Sequence, residues 1–287
     1  MSRVNRGFNL TAMNGSVGAV TYVTRKGISV AKQKVPAKLN YRKTIRSMSP
    51  RMRWMAIVRL WQRLNVVGWH PSFMNKQGLQ TDFNMFTKAN STVDVYLPKD
   101  IVSADGAVVV PVQISNGGLA AVGGAISNGQ FLSNLAVGGL TIGASTTLQS
   151  LSEAIIENND DWIDGDQLTI VTLAQTTDLN GVPRVRSEIF EITLNSGDES
   201  TLIGDILPAN TLSVTDGKLG LATTVIGGAA FVHSTGEGDT FDVSTEMLAV
   251  SNPTAQTYQG NNALMIAINS YGGLSANQFL VPNAIEG

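Results

Sequence analysis

The residues able to do chemistry are few. In 287 residues there are two histidines, His70 and His233, and no cysteine. Disulfides, thiolate nucleophiles and cysteine-ligated metal centres are therefore excluded together. A histidine-based triad needs a hydroxyl nucleophile and an orienting acid beside the imidazole. His70 lies between Trp69 and Pro71, His233 follows Ala229-Ala230-Phe231-Val232, and neither sits in a recognisable motif. Both read as packing or turn residues. Asp160-Asp161-Trp162-Ile163-Asp164-Gly165-Asp166 gathers carboxylates around a glycine and could offer oxygen ligands to calcium. It lacks the ordered spacing and closing glutamate of an EF-hand loop, so it reads as an acidic turn leading into a strand. Glu188 and Glu191 would act as paired catalytic carboxylates only if the fold aligned them. Gly117-Gly118, Gly123-Gly124 and Gly227-Gly228 do not have the register of a phosphate-binding loop. The expectation is a non-enzymatic chain with no catalytic residue, no cofactor and no metal site.

Charge is the stronger signal. The net charge of -2 conceals an imbalance along the chain: residues 1–100 hold 17 Lys and Arg against three Asp, and the remainder holds three cations against 19 acids. No acid precedes Asp82. Such an asymmetry means a nucleic-acid arm, or oppositely charged surfaces that meet within a chain or between copies. Arg25, Lys26, Arg51, Arg53, Arg59 and Arg63 are the residues expected to face an acidic neighbour or DNA. Tyr22, Tyr41, Trp54, Trp61 and Trp69 are interleaved with these cations. Aromatics in a basic groove can bind single strands, but two of these tryptophans fall in an amphipathic helix, where burial accounts for them. Nonspecific backbone contact with DNA is the most this supports.

The elements that must carry these residues follow from periodicity. Gly18 to Thr24 and Ile28 to Ala31 flank Arg25-Lys26-Gly27 as a β-hairpin would. Ser49 and Pro50 look like the cap and first residue of a helix running to about Val67 and stopped by Gly68. Met52, Met55, Ala56, Leu60 and Leu64 form its apolar face. A second helix is expected over Asn75 to Lys88, then strands at 93–97 and 107–114. The Gly- and Ala-rich stretch 117–144 carries too many polar residues for a membrane span and reads as short strands with glycine turns. A helix from Leu148 to Glu157 precedes alternating runs at 167–173, 188–194 and 264–269, with further strands near Leu212, Leu219, Val225 and Val243. Asn-Gly and Asp-Gly turns between them are those of an antiparallel sandwich. The N-terminus lacks the apolar core of a secretory signal.

Met13-Asn14-Gly15-Ser16-Val17-Gly18-Ala19-Val20-Thr21-Tyr22, the Arg25-Lys26-Gly27 turn, Lys32-Gln33-Lys34-Val35-Pro36 and the helix beyond resemble an uncharacterised domain family of Bacteroidetes bacteria and their phages. Asp161-Trp162-Ile163-Asp164-Gly165-Asp166-Gln167-Leu168-Thr169-Ile170-Val171 is similar to the strand opening of that family. The likeness covers the first hundred residues and extends to the second half in outline; the stretch 117–144 departs from it. It implies a compact β-rich protein without catalytic residues and, for phage members of the crAss-like type, a neck or tail component.

The sequence therefore predicts an α+β, mainly β protein: a basic hairpin-plus-helix module over 1–145 and an acidic antiparallel β-sandwich over 146–287. The expected function is that of a virion structural protein, assembled in the host cytoplasm. It forms a homo-oligomeric ring in a tail or neck, with other virion proteins and packaged DNA as partners and no membrane contact. The alternative is a surface adhesin whose sandwich loops, near Asn195, Asn210 and Asn261, bind carbohydrate or protein. A hydrolase using the acidic turn ranks last.

Overall fold

A computed structural model describes residues 43–65, 71–208, 210–251 and 257–275, and the backbone of three strands between 15 and 33. The chain divides into two compact units, Met1–Arg42 and Lys43–Gly287. In the first, β1 (Gly15–Val17), β2 (Val20–Arg25) and β3 (Ile28–Gln33) form an antiparallel sheet in that order. Arg25 stands opposite Ile28, so the expected hairpin is present.

The second unit opens with α1 (Ile45–Leu64). Its cap is Thr44, whose hydroxyl accepts from Ser47 N while the Ser47 hydroxyl accepts from Thr44 N. This reciprocal box satisfies two orphan donors and starts the helix well before Pro50, which lies inside it; the expected Ser49 cap is thereby corrected. The apolar face is as expected, joined by Met48 and Ile57. After β4 (Ser72–Phe73) comes α2 (Asp82–Ala89), capped by Thr81. It begins later than expected because Asn75 and Gly78 adopt φ values of 58° and 60°, which a right-handed helix cannot contain. Next come α3 (Lys99–Ser103) and β5 (Ser115–Asn116), the latter parallel to β4.

Residues 93–97 and 107–114 were expected as strands, yet they form no regular ladder. Their backbone is satisfied piecemeal: Tyr96 N donates to Tyr258 O, Val109 N to Gln175 Oε1, and Ile114 N to Glu246 O. Val95, Leu97, Val108, Val109, Val110, Val112 and Ile114 are all buried. Their β-branched composition reflects enclosure rather than pairing.

Beyond this lie β6 (Gly124–Ser127), β7 (Gln130–Ala136), α4 (Leu148–Asn158), β8 (Gln167–Thr177), β9 (Pro183–Thr193) and α5 (Ile203–Ile206). The chain continues through β10 (Leu212–Thr215), β11 (Lys218–Leu221), β12 (Gly227–Thr235), β13 (Asp242–Val243), β14 (Ala249–Val250) and α6 (Gly260–Ser270). Asn128-Gly129 and Asp216-Gly217 have positive φ at both positions, the requirement of a tight two-residue hairpin turn. The strand expected at 264–269 is instead α6. Ala263, Leu264, Ala267 and Ile268 repeat at helical spacing on its buried face, against Met48 and Met52 of α1.

Two antiparallel sheets make the mainly β body: β10-β11-β7-β6, and β13-β12-β8-β9 with β14 also on β12. Because β7 pairs with β11, residues on both sides of position 145 share one sheet, and the expected boundary there falls inside a single unit. Leu168 and Ile170 of β8, with Ala229 and Phe231 of β12, face the second sheet and α4. Val171, Leu173, Ala230 and Val232 face the other way, toward α1 and the extended segments. The period of two thus sends alternate residues into separate cores. The Phe131 and Phe231 rings meet edge-on at 5.0 Å between the two sheets. Phe231→Ala should cost about 3 to 5 kcal/mol in urea unfolding. A loss below about 1 kcal/mol would contradict a core shared by the two sheets.

Candidate functional site

Four of the six cations expected at an interface lie on α1, and three of these reach into the unit itself. Arg59 donates to an Asp105 carboxylate oxygen at 2.6 Å and to Val102 O at 2.7 Å. Arg63 donates to the Asp105 carbonyl at 2.9 Å and to its other carboxylate oxygen. The Arg63 hydrogen bond is the main cause holding the Asp105 carboxyl below its ordinary range. Arg53 donates to the Tyr96 hydroxyl at 2.9 Å, with its guanidinium 5.5 Å from the ring centroid. These contacts fasten α1 to the segment around α3. Arg51 is exposed. Arg25 ends β2, with its side chain outside the description, and Lys26 lies outside the described residues.

The outward side of α1 keeps its positive character. Arg46, Pro50 and Trp54 follow at four-residue spacing, Arg51 lies beside Trp54, and the helix contains no acid. Trp54 is 53% exposed. Trp61 packs on Phe83 and Phe86 at 5.5 and 5.1 Å, so the expected burial accounts for Trp61 and not for Trp54. Phe83 and Phe86 of α2 thus shelter Trp61, which is why the two indoles differ.

Across the central sheet the sign reverses. Residues 148–166 carry Glu153, Glu157, Asp160, Asp161, Asp164 and Asp166 without one Lys or Arg, and the loop after β9 adds Asp198 and Glu199. That loop is tied to α4 and the turn. Asn195 N donates to Ser152 Oγ at 2.9 Å, Gln149 N to Asp198 O at 3.0 Å, and Ser196 N to Asp164 Oδ1 at 2.7 Å. The Ser196 hydroxyl and N–H hold the Asp164 carboxyl below its usual range. Donors from Thr201 and Ser200 lower Asp198 to about 2. Both stay anionic at neutral pH. Ile163 stands among these carboxylates 61% exposed.

Beneath the turn is a buried cluster. His233 Nε2 lies 2.8 Å from Asp166 Oδ2, which also accepts from Ile163 N at 3.0 Å. The imidazole stacks on Trp162 at 3.7 Å and 11°. Asp166 Oδ1 is buried without a partner. Sequence reading took His233 and the acidic turn separately and missed their union. The available signal was strand alternation, which puts His233 on the inward face with Ala229 and Phe231, where an imidazole needs a polar partner. The pair does not make a triad. His233 is 1% exposed, and nearby Ser244 Oγ accepts from its backbone N rather than facing the ring. His70 lies outside the described residues.

Glu188 and Glu191 fall on opposite faces of β9 because they are an odd number of residues apart. Among the described residues no three His, Asp or Glu side chains converge as a metal site, and no helix is long and apolar enough to cross a membrane. A shallow groove of about 450 Å³ between α3 and α6 is lined by Pro98, Lys99, Asp100, Ser103, Ile266 and Ser270. Of the asparagines considered for an adhesin, Asn195 directly precedes a turn, Asn210 is in one and Asn261 is in α6. Comparison with protein-family models, curated proteins and solved structures finds no match.

Glu246 is a further buried acid, accepting from Val122 N and from Gly123 N at 3.0 Å. Burial pushes its carboxyl above the ordinary 4.5. The folded state therefore holds this proton more tightly than the unfolded chain does. The resulting stabilisation is full below 4.5 and is lost as pH rises through the higher folded value. Glu246→Gln should remove that part of the decline in unfolding free energy as pH rises above 4.5. An unchanged pH profile would contradict the assignment.

Proposed function

We propose that the chain is a non-enzymatic structural subunit that associates with copies of itself head to tail, cationic helix to acidic turn. The observation that carries this reading is the sorting of charge to opposite faces of one central sheet. An interface between unlike faces is heterologous: it propagates, and it closes into a ring where the rotation between neighbours permits. Surface charge of this kind steers encounter and fixes register, while apolar contacts at its centre supply affinity.

The setting we infer is a bacteriophage virion, in a neck or tail ring lining the DNA conduit, assembled in the host cytoplasm beside other virion proteins. Its support is the resemblance of the N-terminal hairpin and helix to the Bacteroidetes and phage family. The basic segment before Asp82 would meet packaged DNA through phosphates without reading sequence.

A second reading, a surface binding module, is favoured by the hairpin tip between β8 and β9. There Asp178 Oδ1 accepts from Asn180 N and Val182 N at 2.9 Å each, and the neighbouring Leu179 is fully exposed. A stiff loop presenting an apolar residue suits a partner's pocket.

Light scattering of the purified full-length chain, at low and high salt and with and without short duplex DNA, separates these readings. The subunit reading predicts a large species, a closed ring or an open head-to-tail assembly, that forms without DNA and assembles more slowly as salt rises. A monomer at every concentration and salt would contradict it and leave the binding module.

A further inference from the structure

We propose that Trp54 of one copy docks on Ile163 of the next, with Arg46 and Arg51 of the first facing Asp160, Asp161 and Asp164 of the second. This contact rests on the head-to-tail reading and names its centre. Two large apolar side chains stand out of charged surroundings of opposite sign: Trp54 is 53% exposed beside exposed Arg46 and Arg51, and Ile163 is 61% exposed beside exposed Asp160, Asp161 and Asp164. Each patch sets an exposed apolar side chain near charges of one sign, and the two signs are complementary. That is the arrangement of a hot spot, in which an aromatic anchor is desolvated at the centre and charges select the partner from the edge.

The occupant is a second copy because the two patches lie on opposite sides of the sheet. α1 packs into the core on one face, whereas Trp162 and α4 pack into the core on the other. When one patch of a copy is occupied by the unlike patch of a neighbour, its other patch remains to take a further copy until a ring closes.

Both patches are held ready. Ile163 is fixed between Trp162, stacked under His233, and Asp166, whose carboxylate accepts from Ile163 N. Asp166 N returns a hydrogen bond to Ile163 O at 3.2 Å, and Gly165 N donates to Leu194 O at 2.9 Å. The buried His233–Asp166 pair thereby acts as a positioning element for the turn. On the other side, the Arg59 and Arg63 bonds to Asp105 fix α1 in place. Preorganisation of both partners lowers the entropic cost of docking.

The test uses full-length protein, with mass followed against concentration by light scattering and folding checked by thermal unfolding. Trp54→Ala and Ile163→Asp should each raise the association midpoint at least about tenfold while unfolding as the parent chain does. Trp54→Glu and Ile163→Arg should each fail to assemble alone, yet form a 1:1 complex when mixed, because each keeps one intact patch. If the parent chain assembles and these variants assemble equally well, the contact is overturned and the head-to-tail reading stands with other residues at its centre. An effect of one variant without the other, or no complex on mixing, also overturns it. A parent chain that stays monomeric overturns both.

Discussion

The constraint on which the rest of the structure depends is that β8 and β12 are apolar on both faces. Leu168 and Ile170 point one way, Val171 and Leu173 the other, and all four are buried. Exposing any one of them would cost about 1.5 to 3 kcal/mol, so the sheet must be covered twice. One cover is the second sheet with α4. The other is α1 with the extended segments 93–97 and 107–114, whose valines fill the space that a third sheet would occupy. Those segments precede the sandwich strands, and Leu248, between β13 and β14, shares their core, which ties early and late parts of the unit together.

Double coverage also sorts charge. Within the second unit the basic helix covers one face of the sheet, and the acidic α4 with its following turn covers the other. Intramolecular pairing consumes part of the positive charge, through Asp105, Tyr96 and the carbonyls near α3. Arg46 and Arg51 are exposed on α1, on the same helix as the exposed Trp54. The His233–Asp166 pair belongs to the same logic: it sits where the acidic turn meets the sheet, and Asp166 also holds Ile163 N of the turn.

Much of this architecture was legible because it follows from short-range physics. The Asn128-Gly129 and Asp216-Gly217 turns, the apolar face of α1 and the alternation of β8 and β9 each need only local pattern. What was not legible depends on partners distant in sequence. Val108 to Ile114 looked like a strand because its residues are β-branched, and nothing local says that Gln175 and Glu246 take its hydrogen bonds. Leu264 to Asn269 alternates by accident of composition, and its helical state is set by packing against α1. Ser49-Pro50 is the stronger local start signal for α1, yet Thr44 and Ser47 form the capping box that starts it. On the interface side, the charge imbalance was plain, but Arg59 and Arg63 turned inward to an Asp105 that no spacing rule connects to them. Exposed Trp54 and Ile163 emerge only once the buried faces are known.

Electron microscopy of the purified full-length chain tests the central claim most directly, since the account requires unlike faces of successive copies to meet. It predicts closed rings or open head-to-tail assemblies in which every contact joins an α1 face to an Asp160–Asp164 turn. Particles with twofold symmetry, in which like faces meet, would contradict it.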